Sequence, residues 1–289
     1  MNVQTVDHFF NPSSKDFIHD PIPTLKKLCS EYPISRFDQW QAWLVTGHEN
    51  ILKCLLDPRL STDFNLWEFE FEKPVPEMGE NEHFPTLITI PTTAGTGAET
   101  ESTAMVTHKS KVMKLCVWHP KLKPSLALLD PELTVGLPST LTAWTGADAM
   151  THAIEAFLVP EFHPLCDGLA LEGLNLITTW LPKAMQEPEN LSARGGMLVG
   201  SCLAGVAFLK GLGMVHAISH MVGAEFNTQH GLTNAIILPV VLQFNLPGME
   251  KKVERMANTM GLEDTSIDCF TSEVNNILDI VDIPKSLSQ

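Results

Sequence analysis

Asp148 and His152 lie four residues apart in TGADAMTHAIEAF. On a helix that spacing puts both side chains on one face, where a carboxylate and an imidazole can grip one divalent cation. A solvated or purely structural pair would show the same spacing. A second group is denser: GLGMVHAISHMVGAEFNTQHG holds His216, His220 and His230 within fifteen residues. His216 and His220 share a helical face, and Asn227-Thr228-Gln229 reads as a turn and N-cap for a helix starting at Gly231. One histidine on an apolar face is usually a satisfied core residue. Three in an apolar segment need partners, so metal binding and core burial both stay open on spacing alone. Imidazoles with one carboxylate suit iron(II) or zinc and do not choose between them. The third signal is TTAGTG, Thr92 to Gly97, directly after an apolar run. Small residues there let backbone N–H groups approach a phosphate or ribose, although an ordinary glycine-rich turn has the same composition. No GxSxG occurs, so nucleophilic serine chemistry has no support. The six cysteines form no CxxC pair, which disfavours a structural zinc site or a disulfide framework.

The elements that must position these residues fall into distinct stretches. Pro21 and Pro23 open a helical pattern with Leu25, Leu28 and Cys29 on one face, ending near Tyr32-Pro33. Trp43 to Thr46 reads as a short strand, and Glu49 to Leu56 as a second helix closed by Asp57-Pro58. Residues 71–85, FEKPVPEMGENEHFP, combine three prolines with four glutamates and form the best linker in the chain. Thr86 to Ile90 is a buried strand stopped by Pro91, Ala104–Val106 and Leu115–Trp118 form a hairpin pair, and Leu126–Leu129 is a short apolar strand. From about Leu141 apolar residues recur at three and four, and the rest of the chain reads as helical. The expected fold is mixed α/β and mostly α: an N-terminal α+β fragment, short strands within 86–130, then an all-helical domain.

Composition narrows the function classes. The 289 residues are 44% apolar and 18% charged, a globular balance suited to two domains or one large one. With 19 Lys and Arg against 34 Asp and Glu, the formal charge of −15 argues against phosphate neutralisation on nucleic acid and against anionic membrane surfaces. The most apolar stretch, Met197 to Leu209, is shorter than a spanning helix needs and reads as a buried core helix. The opening MNVQTVDHFFNPSSKD has neither a basic nor an apolar leader region, and a reduced, cytoplasmic protein is the expectation.

Three stretches carry a resemblance: IPTTAGTGAE, ALLDPELTVGLPSTLTAWTGADAMTHAIEAF and GLGMVHAISHMVGAEFNTQHGLTNAIILP. In this order and spacing they resemble the iron-containing (group III) alcohol dehydrogenases over about residues 84–289. The resemblance implies that Asp148, His152, His216 and His230 bind a metal, usually iron(II) with zinc as the alternative, and that His220 lies near the substrate and serves proton transfer. It implies that Thr92 and Thr93 touch an NAD cofactor and that Lys114, in KVMKLCVW, lies near it. It further implies hydride transfer between a small alcohol or aldehyde and the nicotinamide, and self-association into a homo-oligomer. Residues 86–140 would then be the remnant of a dinucleotide-binding domain and residues 141–289 the metal-binding domain.

The sequence also departs from that family. Its glycine-rich GGGS phosphate turn is missing, the only Gly-Gly being Gly195-Gly196, and the chain stops at IPKSLSQ, where family members continue with further helices. An internal, C-terminally truncated piece is the expectation, with a non-catalytic metal-binding or interaction remnant as the alternative to an active enzyme. Residues ~16–65, from DPIPTLKKLCSEYP to DPRLSTD, resemble the N-terminal region of bacterial haem-thiolate monooxygenases, although the FxxGxxxC haem loop is absent. AGTGAET could pass for that family's oxygen-activating motif, but IPTTAGTGAE fits the dehydrogenases along its whole length. The chain therefore reads as a fusion, with 1–70 as one fragment and 71–85 as the join. Limited proteolysis is expected to cut early between Phe71 and Pro85 and leave a stable C-terminal fragment; uniform resistance there would mean one integrated domain.

Overall fold

Near the start of the chain two short strands pair locally, the second of them over the stretch that reads as a strand in the sequence. The computed structural model describes residues 5–11, 14, 22–37, 42–45, 87–108 and 113–287. It divides into two units, residues 1–87 and 88–289. In the first, α1 (Ile22–Glu31) precedes an antiparallel hairpin of β1 (Ile34–Phe37) and β2 (Ala42–Val45), with Ile34 opposite Val45. Val6, Phe10 and Leu28 are buried, and Phe9 and Tyr32 pack at 5.0 Å between ring centroids. The helix expected over 49–56 and the linker over 71–85 lie outside the described residues.

The second unit begins with small sheets. β3 (Ile88–Thr89) pairs in parallel with β6 (Leu126–Ala127). Between them β4 (Thr103–His108) and β5 (Met113–Trp118) form an antiparallel hairpin, longer than the sequence pattern marks. Of the strand expected over Thr86–Ile90, Thr86 lies outside the described residues and the ladder holds Ile88–Thr89, both half-buried rather than buried; Pro91, which cannot donate to a ladder, follows closely. Beyond Ala127 the described residues contain no strand. The fold is mixed α/β and mostly α.

Among the described residues seven α-helices follow: α2 (Ser139–Leu158), α3 (Pro164–Gln186), α4 (Leu191–Ala207), α5 (Met214–Phe226), α6 (His230–Asn245), α7 (Glu250–Thr259) and α8 (Ile267–Ile280). Their ends are set by side chains that satisfy the backbone groups each helix leaves unpaired. Asn190 caps α4 by accepting from the Ala193 N–H at 3.0 Å, and Ser266 caps α8 through the Cys269 N–H. At the C-terminus of α2 the Lys252 ammonium donates to the carbonyls of Phe157, Leu158 and Val159 at 2.8–2.9 Å. A cation at a helix C-terminus also meets the negative end of the dipole. α2 is the central helix, buried on every face from Thr145 through Leu158, as a helix apolar all round must be.

One sequence expectation needs correction. The Met197–Leu209 stretch is not wholly internal: Met197, Leu198, Gly200, Ser201 and Ala204 are buried, but Val199 is 43% and Leu209 50% exposed. The reason is that α4 packs along one face against α2 and α3 and leaves the opposite face open. With the short turn Phe208–Lys210 it forms a 20-residue helical run, long and apolar enough to cross a membrane by length and composition; half of it is buried inside the fold. That run also contains Arg194, buried, which donates to the Pro188 carbonyl and the Thr142 hydroxyl.

The TTAGTG loop reaches α4 through a glycine pair. Gly97 adopts φ 63°, and a Cβ there would sit 2.6 Å from the Gly205 Cα. A Cβ on Gly205 would meet the Gly97 Cα at 2.8 Å. Gly→Ala inside a helix normally stabilises by about 0.5–1 kcal/mol. Gly205→Ala is expected to do the reverse, costing about 1–3 kcal/mol through overpacking, read as a lowered urea midpoint; an unchanged or raised midpoint would mean that the loop yields.

Candidate metal centre

Three helices supply the four candidate ligands. Asp148 and His152 stand one turn apart on α2, His216 lies in the first turn of α5, and His230 opens α6. Asp148, His152 and His216 are buried, and the His230 side chain is 39% exposed. The Asp148 Oδ1 lies 3.8 Å from the His152 Nε2, 3.7 Å from the His216 Nε2 and 3.8 Å from the His230 Nε2. All four ligand atoms fall within 4.8 Å of one another. A tetrahedral ion with bonds of roughly 2.0–2.2 Å sets its ligands roughly 3.4 Å apart. The observed set would need to contract by only a few tenths of an ångström around Asp148. One carboxylate oxygen and three imidazole nitrogens, mostly buried, therefore fit a divalent first-row cation.

The local sequence explains how α6 starts. Asn227, at φ 52°, ends α5 in the left-handed conformation that asparagine tolerates. The Gln229 side chain then accepts from the Leu232 N–H at 2.6 Å as N-cap. The helix begins at His230, one residue earlier than the sequence suggests, so this ligand is on the first turn of α6.

Two further residues complete the cluster. The Asn234 amide nitrogen donates to the Asp148 Oδ1 at 2.6 Å and lies 3.0 Å from the His216 Nε2 and 3.1 Å from the His230 Nε2. With two amide hydrogens it can serve two of those three acceptors at once. Its Oδ1 is buried and has no hydrogen-bond partner among the described residues. Glu155, buried on α2, places its Oε2 2.6 Å from the His216 Nδ1. Neither is singled out by the sequence reading. The signals available for them are the helical offsets: Asn234 is four residues after His230, and Glu155 three after His152.

The electrostatics favour a deprotonated site. Burial pushes the Asp148 carboxyl up, but His152, His230, His216 and the Asn234 amide together outweigh it and hold the group below its usual value. Burial lowers His152 to about 4, only partly opposed by Asp148, so its imidazole is neutral near pH 7. The His152 ring approaches the backbone of Gly95, yet its Nδ1 completes no hydrogen bond among the described residues.

The remaining sequence candidates are placed as follows. The His220 ring centroid is 5.2 Å from that of His230 and 6.0 Å from that of His216, beside the four ligands and partly exposed. Thr92 and Thr93 lie half-buried in the loop between β3 and the turn Ala98–Thr100. Lys114 is on β5 opposite Thr107, and that strand packs beside α5.

A helical domain that buries one aspartate and three histidines within reach of one another fits a divalent-metal site, and the sequence comparisons narrow the class. The profile of the Fe-containing alcohol dehydrogenase family, C-terminal, matches residues 142–289, and that of iron-containing alcohol dehydrogenase matches residues 59–131. The chain belongs to the iron-containing alcohol dehydrogenase family. It is 42% identical over 176 residues to the NAD-dependent methanol dehydrogenase of Bacillus methanolicus, covering 61% of this chain and 46% of that one. It is 39% identical over 202 residues to the probable alcohol dehydrogenase EutG of Escherichia coli (strain K12), covering 70% and 51%. The solved structure of a 1,3-propanediol oxidoreductase superimposes with a TM-score of 0.69 at 33% identity, covering 72% of this chain and 56% of that one. The chain thus spans about half the length of the curated relatives it matches.

Acid should unfold the metal-free protein early. Between pH 6.5 and about 4 an unfolded imidazole takes up a proton that the buried His152 refuses, so the unfolded state binds more protons and stability falls as pH drops. Asp148, depressed in the fold, acts in the same direction. Urea midpoints of chelator-treated protein are expected to fall steadily across that window, and a flat profile would contradict the burial of His152.

Proposed function

We propose that this chain is the metal-holding part of an alcohol dehydrogenase that moves hydride between a small primary alcohol or aldehyde and NAD. The single observation that carries the reading is the convergence of Asp148, His152, His216 and His230 within 4.8 Å. These residues would hold iron(II), or zinc in its place. When bound, such an ion supplies a Lewis acid for the alcohol oxygen, and a nicotinamide supplies the hydride acceptor. The chain's own residues do the rest. Asp148 is held ionised and His152 neutral at pH 7, the forms in which both could ligate a cation. His220, beside His230 and partly exposed, would pass the alcohol proton toward solvent. Thr92 and Thr93 would meet the cofactor through the loop, and Lys114 through β5. The similarity to a methanol dehydrogenase and a 1,3-propanediol oxidoreductase supports a short-chain alcohol as substrate.

A second reading has its own observation. The sequence lacks a GGGS turn, and Thr92, Thr93 and Lys114 alone would have to offset the roughly 4–15 kcal/mol cost of immobilising a ligand. On this reading the chain is a metal-binding remnant without turnover. The net charge of −15 speaks against nucleic acid as a partner in either case.

Metal analysis of the purified chain, followed by calorimetric titration with NAD and assay with ethanol and 1-propanol, tests both. One divalent ion per chain is expected, with loss of that ion in Asp148→Ala. NAD is expected to bind weakly, if at all. Absence of a divalent ion would overturn the metal reading, and micromolar NAD affinity or turnover would discard the remnant.

A further inference from the structure

Helix α5 starts without a cap of its own. Gly213 precedes it and offers no side chain, leaving first-turn N–H groups to find partners elsewhere. They find Glu155, which reaches across from α2. Its Oε1 accepts from the Val215 N–H at 2.8 Å, and its Oε2 accepts from the His216 N–H at 3.3 Å. The same Oε2 stands 2.6 Å from the His216 Nδ1. An ionised carboxylate only accepts hydrogen bonds, so Nδ1 must carry the hydrogen. In a neutral imidazole the lone pair then belongs to Nε2, the atom that faces Asp148 at 3.7 Å. Gly213 makes this seat available, since a Cβ there would lie 2.6 Å from the Glu155 Oε1.

We propose that Glu155 is a positioning residue of the metal centre. It fixes the tautomer and ring orientation of His216 and, through the same carboxylate, pins the start of α5 to the helix that carries Asp148 and His152. The inference rests on the reading of the four-residue cluster as a metal site. It goes beyond that reading by assigning one ligand's donor atom to a carboxylate that touches no metal. His152 offers the contrast, because no hydrogen bond holds its Nδ1 among the described residues. His216 is thus held by a carboxylate from the neighbouring helix.

Glu155→Gln keeps the volume but must turn an amide NH₂ toward one set of donors. Facing Nδ1, that amide would favour the wrong tautomer; facing Val215, it would oppose a backbone N–H. Cobalt(II) titration of the chelator-stripped full chain, read by calorimetry and by the visible absorption of the bound ion, measures the effect. E155Q is expected to weaken cobalt binding by roughly 10–100-fold and to change the absorption band. In a His216→Ala background E155Q should cause little further loss, whereas in a His152→Ala background the full loss should persist. A purely structural role would weaken binding in both backgrounds alike and overturn the proposal. Should E155Q not fold, Gly213→Ala, which crowds the carboxylate without removing it, is expected to weaken cobalt binding in the same way, and unchanged binding would overturn the proposal. If the unsubstituted chain takes up no cobalt, the metal reading falls and this inference with it; if it does and E155Q binds equally well, this inference alone fails.

Discussion

Asp148, His152 and Glu155 are buried on one mostly apolar helix, and a buried polar group costs free energy unless something pairs with it. Much of the second unit follows from that constraint. Three imidazole nitrogens converge on one carboxylate oxygen of Asp148, and the Asn234 amide donates to it. On the far side of the His216 ring its Nδ1 meets Glu155, while Asn234 sits among the nitrogens that face Asp148. Each partner belongs to a helix that already carries a ligand, so the polar cluster adds no new element to the fold. The hydrophobic core wraps the cluster, with Ala147, Ala149, Met150, Ala153 and Ile154 of α2 all fully buried around it. Small side chains on that helix let α3, α4 and α6 come close enough to exclude water from most of the ligand set.

The same constraint sets the charge state. Desolvation alone would raise Asp148 and lower His152. It succeeds with His152, which stays neutral, and fails with Asp148, where several nearby imidazoles and an amide act together. A neutral imidazole and an ionised carboxylate are the forms that ligate a cation. Burial, which looks unfavourable for a polar cluster, is therefore what readies it. The more exposed His230 is the side from which an ion or a small substrate could arrive without opening the core.

Some of this is legible in the sequence and some is not, for definite reasons. Asp148 and His152 are visible as a one-turn pair on one helix, a spacing that a purely structural pair shares, and the resemblance is what marks them as ligands. His216 and His230 declare themselves by density, though spacing alone leaves metal and core readings level, since only the fold shows that their nitrogens meet Asp148. Glu155 stays hidden because its partner is 61 residues away, and local pattern says nothing about such a contact. Asn234 stays hidden because asparagine on a helix face has many ordinary uses. The all-helical second half is legible from its period, but Val199 shows the limit: hydropathy marks a stretch as apolar without saying which face finds a neighbour. The Gly97–Gly205 approach, likewise, is a contact between a loop and a helix that no local spacing encodes.

That approach also bears on the cofactor side of the site. The loop holding Thr92 and Thr93 is pressed against α4 through the glycine pair, while β5, which carries Lys114, packs beside α5. Helix α4 packs on α2, and α5 is tied to α2 through Glu155. Both segments that resemble cofactor contacts are thus seated on helices anchored to the one that bears Asp148 and His152. A shift of α2 would move the loop, the strand and the four-residue cluster together, so on the proposed function the separation between metal and cofactor would be held by a single buried helix. Relative geometry fixed through one rigid element is what a reaction between two bound groups requires, because displacements near 1 Å already cost about 10²-fold in rate.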